Sequence, residues 1–199
     1  MRKLILLSGP TCTGKTTVEK ALNKLGIPSI ISYTTREPRP GEINGKDYYF
    51  LTHKEVHDLE LNGKIIQKVE FANNLYGSTC EALDNAFKNS DTAVIVVEPT
   101  GVSQFKRYFK SSEDIRLISI YLDADYSTIV ERLIARYLTD TSDTVDPSYY
   151  WIRLVQQYEA YHDWPGYTNW TEVIPKVDHE IIGCEPDYVA KRILEIAMN

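Results

Sequence analysis

The sequence predicts an α/β fold built around a mainly parallel sheet, and three observations carry that reading. Helix-like and strand-like patterns alternate along most of the chain, the arrangement that layers helices over a parallel sheet. Several strand-like stretches, such as LILL at 4–7 and AVIVV at 93–97, are short continuous apolar runs, as strands covered on both faces require. The first run enters a glycine-rich turn, GPTCTGKTT at 9–17, and a helical pattern follows at once.

Taken in order, Leu4 to Leu7 reads as a central strand. Lys15 to Leu25 is helical, because Val18, Ala21, Leu22 and Leu25 share one face and Gly26 and Pro28 end the pattern. Ser29 to Tyr33 is a second strand, and REPRPGEINGK, broken by two prolines and two glycines, is a long polar loop. Asp47 to Leu51 and Ile65 to Phe71 are expected as strands of a side sheet, with a turn at 72–74 and a helix from Glu81 to Phe87. Ala93 to Val97 is a core strand, followed by EPTG and a helix through Phe105; Leu117 to Leu122 is another core strand. Tyr126 to Tyr137 is amphipathic, with Ile129, Val130, Leu133 and Ile134 expected inward. An acidic loop, TDTSDTVDPS, precedes a helix from Ser148 to Tyr161. A short strand, Glu180 to Ile182, and a closing helix carrying Val189, Ile193 and Ile196 complete the chain. Without repeats or a low-complexity linker, residues 1–199 are expected as one domain.

Bulk properties narrow the function classes. A 43% apolar fraction with 25% charged residues is that of a folded globular chain. The net charge of −6 argues against a broad nucleic-acid or anionic-membrane surface, so an anionic ligand must be met by local arginines and lysines. No apolar run approaches the roughly 18–20 residues of a membrane span, and LILLS after Arg2-Lys3 is too short for an export signal. Three cysteines (Cys12, Cys80, Cys184), odd in number and without metal-ligand spacing, point to a reduced cytoplasmic compartment. His53 and His57 can share a helix face but lack a third ligand, so ordinary surface placement is expected.

Gly9-x-x-x-x-Gly14-Lys15-Thr16 satisfies the whole phosphate-loop pattern in its strand–turn–helix context. The glycines let the backbone curl so that N–H groups gather around phosphate oxygens, and the helix start adds its positive end. Lys15 supplies a point charge for the β- and γ-phosphates of ATP, and the Thr16 hydroxyl completes a Mg²⁺ shell. The donor-site candidates are therefore Gly9, Thr11, Cys12, Thr13, Gly14, Lys15, Thr16 and Thr17. Cys12 has two readings, a small tolerated residue or a thiol whose oxidation blocks the nucleotide.

A second phosphate site is suggested by Arg36 and Arg39 in a proline-stiffened loop, since planar guanidinium forks match phosphate oxygens. The stretch from Ser32 to Tyr48, SYTTREPRPGEINGKDY, closely resembles the S-x-T-T-R-x-P-R-x-G-E-x-x-G-x-x-Y hallmark of the guanylate kinase family. Leu75-Tyr76-Gly77-Ser78 resembles the family's Y-Y-G-S/T segment, and Arg132-Leu133-x-x-Arg136 its lid entry. The resemblance runs over roughly residues 1 to 155 and fades afterwards. It implies a three-layer P-loop kinase fold: a core (1–31, 88–135, 154–199), an inserted nucleoside-monophosphate (NMP) subdomain at about 32–87, and a lid at about 136–153. It also implies that Ser32, Arg36, Arg39, Tyr48 and Tyr76 hold an acceptor phosphate, while Lys15, Arg132, Arg136 and Arg153 serve the phosphoryl group in flight. The implied partners are small-molecule nucleotides; monomer and homodimer are both left open.

The chain departs from that family in three places. Gln67 stands where the resemblance places a guanine-reading glutamate; a carboxylate accepts two bonds, whereas an amide accepts one and donates one. AVIVVEPTG replaces D-x-D-x-Q-G, leaving Val96 for a carboxylate near the metal and Glu98 for a base-reading aspartate. The interval between Arg136 and Arg153 is long, carries Asp140, Asp143 and Asp146, and is followed by an aromatic-rich segment at Tyr161–Lys176. Gln67, Ser78 and Glu98 are thus the base-binding candidates. The acceptor is GMP or dGMP, or else a pyrimidine or modified-base deoxynucleotide whose imide edge Gln67 would pair. Alternatives outside this reading are a non-catalytic protein-binding module and a sugar-phosphate kinase.

Overall fold

A computed structural model describes residues 1–10, 12–71, 73–139, 178–182 and 185–198. The central sheet is parallel throughout, in the order β6 (Thr92–Val96), β1 (Arg2–Ser8), β7 (Ile115–Asp123), β8 (His179–Ile182). Its apolar strands alternate between two cores. Leu4, Leu6 and Ile95 face one, which α3 (Cys80–Ala86) and α4 (Pro99–Tyr108) cover; Phe105 is fully buried there. Ile5, Leu7 and Val94 face the other, under α1 (Lys15–Lys24) and α6 (Pro186–Met198). Two helical layers over one sheet give the expected three-layer α/β architecture. Asp178 ties the start of β8 to β7, accepting from the Ser119 N–H (2.7 Å) and hydroxyl (2.8 Å).

A second sheet runs in the order β3 (Tyr49–Phe50), β2 (Tyr33–Thr34), β5 (Asn74–Thr79), β4 (Ile65–Phe71). The strand expected over Ser29 to Tyr33 divides instead: Ser29 bridges Val94 in the central sheet, while Tyr33 and Thr34 pair with Gly77 and Tyr76 in the second. The strand expected over Asp47 to Leu51 contracts to Tyr49–Phe50, because the backbone up to Tyr48 is occupied by loop hydrogen bonds. Asn73, at φ 61°, makes the expected turn, but Asn74 already belongs to β5. Helix α2 (His53–Leu61) carries a capping box, Thr52 and Glu55 exchanging hydrogen bonds, and holds both His53 and His57.

Helix α5 (Tyr126–Thr139) forms where its periodicity places it and buries Ile129 and Leu133. Ile134, expected inward, is half exposed, and so is Leu25 beyond the end of α1; both lie at the rim of their apolar stripes. The acidic loop, the helix expected over Ser148–Tyr161, the lid beyond Thr139 and the segment Tyr161–Lys176 lie outside the described residues. Among the described residues, no helix is long and apolar enough to cross a membrane.

Candidate functional site

β1 lies between β6 and β7, so the chain leaves its carboxyl end at the point where crossovers diverge to either side, the usual place for a ligand crevice in a parallel sheet. There Gly9 (φ 146°) passes so close to β7 that a Cβ would overlap the Leu122 carbonyl oxygen; no other residue fits. Cys12 (φ 60°) and Gly14 (φ 97°) adopt left-handed backbone and curl the loop into the first turn of α1, the shape in which N–H groups surround an anion. Thr13 is buried and its hydroxyl donates to the Pro10 carbonyl (3.0 Å), bracing the loop from inside. The Lys15 ammonium donates to the carbonyls of Gly9 (2.7 Å) and Pro10 (2.6 Å), spanning the loop. Thr16 and Thr17 are exposed on the first turn of α1. From α5, Arg132 Nη1 donates to the Cys12 carbonyl (3.1 Å) and sits 3.9 Å from where a Cβ on Gly14 would lie. One candidate lid arginine therefore already reaches the phosphate loop. Arg136 belongs to the last turn of α5; Thr11 and Arg153 lie outside the described residues.

Of the acceptor candidates, Tyr76, Gln67 and Ser78 share one face of the second sheet. Thr34 pairs with Tyr76, Val69 with Tyr76, and Gln67 with Ser78, so side chains of these residues stand on a common face. Arg36 Nη2 donates to both Glu42 oxygens (2.9 and 3.0 Å) and Nη1 to the Glu37 carbonyl (2.6 Å). Its guanidinium lies 5.8 Å from the Tyr48 ring centre, and Tyr48 meets Tyr76 edge-on at 6.3 Å. Glu42 also accepts from the Arg39 N–H (2.7 Å), and the Ser32 carbonyl accepts from the Tyr49 N–H (2.9 Å). Glu42 thus fixes a guanidinium and the arginine-bearing loop with one carboxylate.

Burial alone would raise the Glu42 carboxyl, but hydrogen bonds from Arg36 and the Arg39 N–H, with their charges, hold it below the ordinary carboxylate value. A depressed folded pKa contributes stability that is full above the unfolded value, roughly 4.3, and disappears as pH falls through the folded one. Glu42→Gln is accordingly expected to flatten the acid limb of a Tm-against-pH curve below about pH 5 and, by loosening Arg36, to weaken acceptor binding about tenfold. Thermal melts from pH 7 to pH 3 with titration calorimetry check both.

At the far end of that face Gln67 is 6% exposed and Ser78 fully buried, the Ser78 hydroxyl having no hydrogen-bond partner among the described residues. Such a group costs about 1–3 kcal/mol unless a ligand engages it. Glu70 pairs with Leu75 and alternates to the opposite face, with Lys68. Glu98 is the exposed N-cap of α4; its carbonyl accepts from Gly101 and Val102, and its side chain makes no capping bond. Val96 ends β6 opposite Leu7. Sequence reasoning does not single out Glu42 or Gln104. Glu42 has a visible signal, an acidic residue in the same loop as two arginines; Gln104 has none, since its partner, Lys68, is distant in sequence.

The chain matches the family model described as guanylate kinase over residues 1–164. Guanylate kinase of Trichormus variabilis is 35% identical over 119 residues, 58% of this chain and 59% of that protein. The chain thus spans about 59% of the length of that relative. Human guanylate kinase is 34% identical over 144 residues, 71% of each chain. A crystal structure of guanylate kinase from Anaplasma phagocytophilum shares the fold, with a TM-score of 0.66 at 21% identity, covering 98% of this chain and 84% of that one.

Proposed function

Because this chain belongs to the guanylate kinase family, we propose that it is an ATP-dependent nucleoside monophosphate kinase transferring the γ-phosphoryl group of ATP to GMP or dGMP. The observation that carries this is the presence of two separate cationic sites: a phosphate loop with Lys15 and Arg132, and an Arg36–Tyr48–Tyr76 cluster on the second sheet. One site suits the donor's phosphates and the other the acceptor's. A bare protein-binding module has no need of the loop's Gly9, Gly14, Lys15 and Thr16 together.

In this reading the loop backbone and Lys15 hold the β- and γ-phosphates, and the Arg36 and Arg39 loop with Tyr48 and Tyr76 fixes the acceptor phosphate for in-line attack. Phosphoryl transfer needs positioning and neutralisation of spread charge, not a covalent enzyme intermediate. Arg132 acts from α5, and Arg136 and Arg153 close the lid of residues 136–153 over the 32–87 acceptor subdomain, excluding water from the γ-phosphate. Among the described residues no group of three or more His, Cys, Asp or Glu is placed to hold a metal. The exposed Thr16 hydroxyl beside Lys15 fits Mg²⁺, which keeps much of its water and takes further oxygens from phosphates. Bound there, Mg²⁺ would neutralise charge on the transferring phosphates. The compartment is read as the cytoplasm, from three cysteines without disulfide or metal-ligand spacing.

The base is read by Gln67, Ser78 and Glu98. Gln67 can accept from a ring N–H and donate to the adjacent carbonyl, a pairing that guanine shares with the imide edge of thymine and uracil. Membership of the guanylate kinase family makes a purine, GMP or dGMP, the acceptor this reading favours. A scan of all common NMPs and dNMPs with ATP tests it: GMP or dGMP is expected first, and turnover confined to pyrimidines would replace it with the pyrimidine reading. Gln67→Glu, which adds a second acceptor for guanine's 2-amino group, is expected to raise kcat/KM for GMP about tenfold over that for IMP.

A further inference from the structure

β4 is an outer strand of the second sheet: β5 pairs with one edge, and α4 packs along the other. An outer strand leaves N–H and C=O groups that must find partners elsewhere. At Lys68 both are met by one side chain. The Lys68 N–H donates to Gln104 Oε1 at 2.9 Å, and Gln104 Nε2 donates to the Lys68 carbonyl at 3.0 Å. A primary amide carries the same donor and acceptor as a peptide group, so Gln104 completes the ladder as a single residue of a further strand would.

The position of this contact gives it a consequence for the site. Lys68 directly follows Gln67, which pairs across the sheet with Ser78. Three residues before Gln104, on the same face of α4, Gly101 lies against the Gln67 side chain, 3.5 Å separating the place of a Gly101 Cβ from Gln67 Nε2. One helix face therefore fixes both the backbone after Gln67 and the space its amide occupies. A slip of β4 by one residue would turn Gln67 to the opposite face, and a bulge already interrupts the pairing between Ile65 and Gln67. The strand needs a register lock just beyond that bulge, and Lys68 is where one is found.

We propose that Gln104 is a positioning residue for acceptor recognition: its double hydrogen bond to Lys68 locks β4 against α4 so that the Gln67 amide stands opposite Ser78. The inference rests on the kinase reading for the identity of the ligand. The lock joins the acceptor sheet to the central core through α4, so its loss acts on the acceptor and spares the donor.

Calorimetry on the full chain tests this with GMP and ATP as separate ligands, for wild type, Gln104→Leu and Gln104→Glu. Gln104→Leu removes both bonds; Gln104→Glu keeps an acceptor for the Lys68 N–H but sets an oxygen against its carbonyl. Each is expected to weaken GMP binding about five- to twentyfold, as the loss of one or two hydrogen bonds implies, with ATP binding changed less than about twofold. Hydrogen exchange over 65–71 should quicken in both variants while the central strands stay protected. The effect of Gln104→Leu on GMP should vanish in a Gln67→Ala background, because it acts through Gln67. Unchanged GMP affinity in a folded Gln104→Leu, equal losses for GMP and ATP, or full additivity with Gln67→Ala would each overturn the proposal. If the wild type binds no nucleoside monophosphate, the kinase reading fails and takes this role with it; if it binds GMP and Gln104→Leu binds it equally, this proposal alone fails.

Discussion

Lys15→Met is expected to lower kcat for phosphoryl transfer about 10³-fold at a stability cost of only about 1–3 kcal/mol. The ammonium donates to two loop carbonyls, Gly9 and Pro10, and so stands across the loop at the position where β- and γ-phosphate charge would build. As the bond to the γ-phosphorus breaks, negative charge moves onto the β–γ bridging oxygen and the departing β-phosphate, so a cation fixed beside them lowers the barrier more than it tightens binding. Methionine keeps the length and apolar stem but no charge. Gly9 and Pro10 are both buried, but the Pro10 carbonyl keeps its bond from the Thr13 hydroxyl, so the fold should tolerate the change at a cost of about 1–3 kcal/mol. Steady-state kinetics with thermal melts separate the two effects. A Lys15→Met enzyme retaining more than about a tenth of wild-type kcat would remove Lys15 from the chemistry.

The second large effect is structural. Gly77→Ala is expected to destabilise the chain by more than about 3 kcal/mol and to abolish acceptor binding. A Cβ at Gly77 would overlap the Gln67 carbonyl oxygen and come within 2.5 Å of the Tyr33 hydroxyl and 2.7 Å of its ring carbon. Tyr33 is 1% exposed and crosses Gly77 from the neighbouring strand, so it has nowhere to withdraw. The β4–β5 pair must separate, and with it the alignment of Gln67 with Ser78. Denaturant unfolding measures the stability loss; a variant within about 1 kcal/mol of wild type would mean that the sheet is looser than the close packing around Gly77 implies.

Legibility in the sequence follows the range of the interactions. The phosphate loop is local: β1, the glycine positions and α1 are contiguous, so pattern and geometry coincide at Gly9, Gly14 and Lys15. The core strands β1, β6 and β7 announce themselves as apolar runs because both faces are covered. Helix α2 leaves no such trace, since Val56 is its one buried residue; its start is written only in the Thr52–Glu55 capping box. β5 escapes periodicity because Gly77 interrupts it and its pairing partners lie in two other strands. Ser29 to Tyr33 reads as one strand although it serves two sheets, a division set by which partner each residue meets. The candidate acceptor site is legible as a motif at Arg36, Arg39, Tyr48 and Tyr76, but the Glu42 bonds to Arg36 and the Arg39 N–H and the Gln104–Lys68 pair depend on contacts that spacing does not encode.

The central claim is that two phosphate sites in one chain pass a phosphoryl group between nucleotides. Phosphorus NMR of the wild-type protein with ATP, Mg²⁺ and GMP tests it most directly, because every phosphorus product is seen at once. The expected result is ADP and GDP appearing in equal amounts, with no inorganic phosphate beyond a trace. Inorganic phosphate in place of GDP, or an unchanged spectrum with GMP and with every other nucleoside monophosphate, would contradict it.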